Sequence, residues 1–127
     1  MTAREEMAAQ IATLPAVRTR WGVARDLPNV LKVSAACFDW WDDRHFRAIL
    51  AKRNCILMVA TCASCETQER IRGYAVYELD SEAEGYRFMT VLTLAALDPV
   101  ARYALVGKMG EKSLTHRRTL TWATPTY

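Results

Sequence analysis

Cys55-Ile56-Leu57-Met58-Val59-Ala60 is an unbroken apolar run, and two further runs follow it: Ile71-Arg72-Gly73-Tyr74-Ala75-Val76-Tyr77-Glu78-Leu79, then residues 86–97. Each is strand-length, rich in β-branched and aromatic side chains, and bounded by polar residues. Such runs read as strands covered on both faces. The polar stretch 62–70 and the acidic stretch 80–85 are short enough to be hairpin loops, so three consecutive antiparallel strands are expected. That meander decides the fold class, and the rest of the chain has to pack around it.

Working outward, Val17-Arg18-Thr19-Arg20-Trp21 alternates apolar with polar and predicts a half-buried strand. Asp26 reads as a helix N-cap with Pro28 in the first turn, and Leu27, Val30, Leu31, Ser34 and Phe38 keep helical spacing. A second helix is expected from Asp42 or Asp43, burying Phe46, Ile49 and Leu50. After the meander, Asp98-Pro99 breaks the strand and opens a helix over residues 100–114 with Ala101, Leu105 and Met109 inward and Gly107 and Gly110 in its interior. Residues 118–124 are β-prone. Residues 2–14, with Met7, Ile11 and Leu14 spaced three to four apart, predict an N-terminal helical extension over 1–15, leaving 16–127 as the domain proper. The pattern is mixed α/β with a mostly antiparallel sheet.

At 127 residues the chain has the size of one domain, and 51% apolar with 24% charged residues excludes a disordered or fibrous protein. Lys plus Arg is 17 against 14 for Asp plus Glu, a net charge of +3 that demands no anionic partner. Arg117-Arg118 with Arg18, Arg20 and Trp122 is the one basic and aromatic set, too scattered to favour nucleic acid. No apolar stretch is long enough for a membrane span and the N-terminus lacks an apolar signal core, so a cytoplasmic protein with reduced thiols is expected. Cys62-Ala63-Ser64-Cys65 is a CxxC without a second pair, and a thiol or zinc module would need Cys37, Cys55 or His116 to converge on it.

The element order, with Arg25-Asp26-Leu27-Pro28-Asn29-Val30-Leu31, Phe38-Asp39-Trp40-Trp41-Asp42-Asp43-Arg44-His45-Phe46 and Arg72-Gly73-Tyr74-Ala75-Val76-Tyr77, resembles the GNAT superfamily of acyl-CoA-dependent N-acetyltransferases. The resemblance covers residues 16–125 and is nearest to the branch of ribosomal-protein alanine acetyltransferases. It implies acetyl transfer from acetyl-CoA to a protein or peptide amine. It also implies that the fourth strand carries the cofactor's arm along the backbone of Leu92 and Leu94, that Arg102 and Gly107 belong to the phosphate-binding loop, and that Trp40 and Trp41 border the acceptor groove. Glu78, with Glu82 and Glu84 behind it, is the carboxylate available as a base.

Two departures accompany the resemblance. With Arg102 on the family's arginine, Leu105 stands where the loop's first glycine belongs, so the cradle is degenerate. Family members also continue past the fifth strand with a helix, which usually bears a tyrosine general acid, and two more strands, whereas this chain ends at Tyr127. An incomplete sheet with an exposed edge is then expected, favouring a homodimer. A catalytically inactive relative that binds itself or a partner is the alternative to the enzyme.

Overall fold

The computed structural model describes residues 2–5, 16–62, 70–80 and 87–123. Five strands form one sheet in the order β1-β2-β3-β4-β5, comprising β1 (Val17–Trp21), β2 (Cys55–Cys62), β3 (Arg70–Leu79), β4 (Phe88–Ala96) and β5 (Thr119–Trp122). Pairing is antiparallel from β1 to β4, as the three apolar runs predict, whereas β5 lies parallel to β4. A parallel neighbour requires a crossover, and α3 (Pro99–Thr115) supplies it. Two further helices, α1 (Leu27–Ala36) and α2 (Asp43–Leu50), lie between β1 and β2 in the chain.

The sheet is covered on both faces. On one, Leu27, Val30 and Val33 of α1 and Phe46 of α2 pack with Leu57, Val59, Tyr74, Val76 and Ala95. On the other, Ala101, Leu105 and Met109 of α3 meet Met58, Ala75, Tyr77, Met89, Val91 and Leu94. The period-2 alternation of the central strands thus feeds two separate cores. Gly73 makes the second possible, because a Cβ there would lie 2.9 Å from the Ala95 carbonyl oxygen and 3.0 Å from Leu105 Cδ1.

Several local expectations change in detail. Asp26 does not cap α1 with its side chain. Its carboxylate turns back, accepting the Val23 N–H at 2.8 Å and both terminal nitrogens of Arg20 at 2.8 Å, because the 3₁₀ turn Ala24–Asp26 brings it beside β1. The Arg20 hydrogen bonds hold its pKa below the usual carboxylate range. Asp42 does cap α2, accepting from the His45 N–H at 2.8 Å. In the extension, Thr2 and Glu5 form a reciprocal capping box at the start of a helical turn, and Met7, Ile11 and Leu14 lie outside the described residues. Among the described residues no helix is long and apolar enough to cross a membrane.

Both α1 and α3 end in Schellman turns without glycine. After α1, Phe38 N–H bonds the Ala35 carbonyl and Asp39 N–H the Ser34 carbonyl, with Phe38 at φ 57°. After α3, Arg117 and Arg118 repeat the pattern on Leu114 and Ser113, with Arg117 at φ 54°. A left-handed residue with a Cβ costs roughly 1–2 kcal/mol. The second turn seats His116 near the Tyr77 ring, its Nε2 buried without a partner.

Two outcomes follow from these positions. Gly73→Ala should destabilise the fold by about 1–3 kcal/mol in urea unfolding, whereas Gly110→Ala, whose Cβ meets nothing within 4 Å, should stabilise it by about 0.5–1 kcal/mol. Burial, followed by the charges of Arg118 and Lys112, lowers the His116 pKa below 6.5, so the unfolded chain binds the proton more readily. Stability should therefore fall as the pH drops through 6.5 toward that lowered value, and His116→Gln should flatten this part of the profile.

Candidate active site

The site begins with a mismatch of register. Val76 opposes Thr93 and Tyr77 opposes Val91, so Leu92 is an extra residue in β4. Such a bulge turns two successive side chains to one side. Leu92 packs on the core under α1 and α2, and Thr93 donates to Asp39 on that same face. Among the described residues, β4 has an outer neighbour only as far as the bulge. The pairing with β5 ends at Val91–Trp122, closed by the Ala123 N–H on the Val91 carbonyl, while β4 runs on to Ala96. Leu97 donates to Arg72 on β3, so by alternation the backbone of Leu94 and Ala96 faces away from β3. The Cys37 thiol, 3.5 Å from the Ala96 carbonyl oxygen, marks that outward direction.

On the α1/α2 face, one step along β4 from the bulge, a polar row crosses four strands. Cys55 opposes Glu78, Glu78 opposes Thr90, and Thr90 opposes Thr121. The Thr90 and Thr121 hydroxyls are 2.9 Å apart, and the Cys55 thiol donates to Glu78 Oε2 at 3.6 Å. Burial, followed by the adjacent Glu78 charge, pushes the Cys55 thiol up to about 11, so it stays protonated. Glu78, Thr90 and Thr121 are half-buried and make a shelf beside the bulge.

Deeper on this face lies a buried carboxylate that the sequence reading passes over. Asp39, 9% exposed, accepts the Thr93 hydroxyl at 2.7 Å and the Tyr74 phenol on the same oxygen, Oδ2. Burial and then the Asp39 hydrogen bond raise the Tyr74 pKa, keeping the phenol a donor. At the corner between α1 and α2, Trp40 is 61% exposed while Trp41 is 4% exposed. His45 lies against both rings, at 4.4 and 4.3 Å between centroids.

The start of α3 is arranged differently from an open anion site. Asp98 Oδ1 accepts the Ala101 N–H at 2.8 Å, Asp98 Oδ2 pairs with Arg72 Nε at 3.0 Å, the Asp98 carbonyl accepts the Arg102 N–H, and Pro99 has no N–H. The positive end of the helix is thus already matched by the protein's own carboxylate. Arg102 is exposed and lines a cavity of about 280 Å³ with Ala96, Leu97, Asp98 and Pro99. The β4 edge therefore fits a ligand arm that pairs with backbone, whereas the α3 N-terminus does not fit a phosphate cradled by its own N–H groups.

The site thus combines a bulged β4, a parallel β5 reached through a helix and, among the described residues, a β4 that runs on past the end of β5. The acetyltransferase (GNAT) domain matches residues 37–127. The chain belongs to the GNAT acetyltransferase family. Three solved structures share its fold. A ribosomal-protein-alanine N-acetyltransferase from Brucella melitensis biovar Abortus is 17% identical with a TM-score of 0.65, the match covering 87% of this chain and 81% of that one. A GNAT family acetyltransferase from Staphylococcus aureus is 13% identical with a TM-score of 0.68, covering 87% of each chain. An aminoglycoside acetyltransferase from an uncultured soil metagenomic sample, in complex with trehalose, is 14% identical with a TM-score of 0.63, covering 86% of this chain and 78% of that one. No curated protein matches this GNAT chain.

Of the residues expected at the site, Leu92, Leu94 and Glu78 gather around the bulge, with the Leu94 side chain buried toward α3 so that it offers backbone alone. Gly107 lies more than two turns into α3, where its N–H belongs to the helix and not to a loop. Trp41 is a core residue, which leaves Trp40 as the ring presented outward. Arg118 and Arg20 are paired with Asp80 and Asp26, which removes them from any basic face. Cys65, Glu82 and Glu84 lie outside the described residues. Cys55 and Cys62 stand at opposite ends of β2, about 23 Å apart at about 3.3 Å per residue. They cannot share a metal ion, and among the described residues no group of three or more metal-ligating side chains forms. Exposure ranks the described thiols. Cys37 should react with iodoacetamide at pH 8 about tenfold faster than the buried Cys55 and Cys62, as read by peptide mass mapping; equal labelling of Cys55 would contradict the arrangement.

Proposed function

We propose that this protein transfers the acetyl group of acetyl-CoA to the amine of a protein or peptide. The observation that carries the reading is the Leu92 bulge at the point where, among the described residues, β4 runs on past β5, with the Glu78–Thr90–Thr121 shelf one step away. Acetyl-CoA, when bound, would supply an acyl thioester whose C–S bond breaks as an unprotonated amine forms the amide, the coenzyme leaving as a thiolate that finally takes up the proton released by the nitrogen. The backbone of Leu94, beyond the bulge, would hold its arm, with Arg102 the nearest exposed cation for its phosphates. Glu78 takes the proton that the acceptor nitrogen must lose, and the Thr90 and Thr121 hydroxyls orient that nitrogen. Phe38, 90% exposed, and Trp40 form an aromatic lip for the residues following a peptide terminus. A polycationic acceptor such as an aminoglycoside calls for several carboxylates, and among the described residues the shelf presents one. That favours an acceptor with a single ammonium group. The protein-alanine acetyltransferase that shares the fold fits the same choice.

A second reading has its own support. With Asp98 and Pro99 closing the start of α3, a relative that keeps the scaffold without turnover, and associates as a homodimer through the edge of β1 or β5, accounts for the missing phosphate cradle.

Titration with acetyl-CoA separates the two. A ligand at 100 times its Kd adds about 2.7 kcal/mol of stability, so Tm should rise with cofactor, and mass spectrometry should detect acetylation of peptides with a free N-terminus. Glu78→Gln should lower kcat by about 10²-fold or more while the Tm shift persists. No shift at millimolar acetyl-CoA, together with a dimeric mass in solution, would select the non-catalytic reading.

A further inference from the structure

The Asp39 carboxylate is expensive where it stands. It is buried, its Oδ1 has no partner, and among the described residues no cationic side chain pairs with it. An apolar residue packed against a phenylalanine and a valine would meet the needs of the core with less desolvation. The placement is also forced. Phe38 takes a left-handed φ of 57°, and the Ser34 hydroxyl bonds the Trp41 carbonyl at 2.8 Å, so the strained corner after α1 turns residue 39 inward. What the carboxylate reaches is specific: the hydroxyl of Thr93, the residue that directly follows the extra residue Leu92. The Tyr74 phenol holds the same oxygen from β3, so one Asp39 atom ties α1, β3 and the β4 bulge together.

We infer that Asp39 is a positioning residue for acyl transfer. Through Thr93 it fixes the Leu92–Thr93 bulge and thereby the direction in which the β4 backbone beyond it faces the donor thioester. This rests on the acetyltransferase reading. Asp39 does not itself touch the reacting atoms, since its free oxygen is sealed from solvent.

The test compares Thr93→Val with Thr93→Ser, because valine keeps the shape and loses the hydroxyl while serine keeps the hydroxyl. Amide exchange by NMR in the ligand-free protein should accelerate about tenfold or more at Val76 and Ala95, whose N–H groups belong to the β3–β4 ladder on either side of the bulge, in Thr93→Val, with β1 and α3 unchanged. Its kcat should fall about tenfold or more while both KM values stay within about threefold. Thr93→Ser should restore both quantities. Asp39→Asn should follow Thr93→Val if it folds, and the threonine pair decides the matter if it does not. Wild-type exchange at Val76 and Ala95 in Thr93→Val, a kcat that does not respond, or failure of serine to rescue overturns the positioning role. A wild-type protein that acetylates no amine overturns the acetyltransferase reading and the kinetic half of this role. Exchange then decides separately whether Thr93 holds the bulge.

Discussion

The one-residue offset between β3 and β4 turns Leu92 and Thr93 to the same face of the sheet, and most of the site geometry descends from it. Before the bulge, Met89 and Val91 face α3 and Thr90 faces the shelf; after it, Leu94 and Ala96 face α3 and Thr93 faces Asp39. Without the extra residue the strand would remain in phase, and every later side chain would change sides. Among the described residues the bulge lies where β5 stops pairing, so the change of phase coincides with the end of the β4–β5 ladder. A backbone edge is a site for a ligand that itself resembles a strand, which suits the arm of an acyl thioester.

The electrostatics around that edge are uneven. Asp98 already satisfies the first turn of α3 and draws Arg72 onto itself, so two groups that elsewhere serve an incoming anion are engaged with each other. An N-capping carboxylate stabilises a helix by about 0.5–2 kcal/mol, and here the capped helix is the crossover that makes β5 parallel. Stability of α3 and recognition of a phosphate by its N-terminus are therefore in competition at one residue. Arg102, exposed on the next turn, is not part of that compromise.

Glu78 and Leu92 were legible as candidates because the resemblance located the strands that carry them. Asp39 was not, since an aspartate between Phe38 and Trp40 reads as a surface residue in a polar corner. Its burial depends on a left-handed Phe38 and on a tyrosine and a threonine 35 and 54 residues away. Gly107 is claimed twice: its spacing puts it inside a helix over residues 100–114, where the structure has it, whereas the family's loop pattern assigns the same residue to the phosphate site. Trp40 and Trp41 are adjacent in sequence and divided by geometry, one outward and one in the core. Similarly, Asp26 had the composition of a cap, but Arg20 competed successfully for its carboxylate.

Local pattern was sufficient for the three central strands, the helices between β1 and β2, and the inward face of α3, because each rests on periodicity within a few residues. It was sufficient also for the family, whose signature is an order of elements. The parallel placement of β5, the register slip at Leu92, the sealed start of α3 and the inward turn of Asp39 are different in kind. Each depends on which distant backbone or side chain arrives opposite a given residue. Hydrogen-bond partners and desolvation are set by that arrival, and no spacing along the chain encodes them.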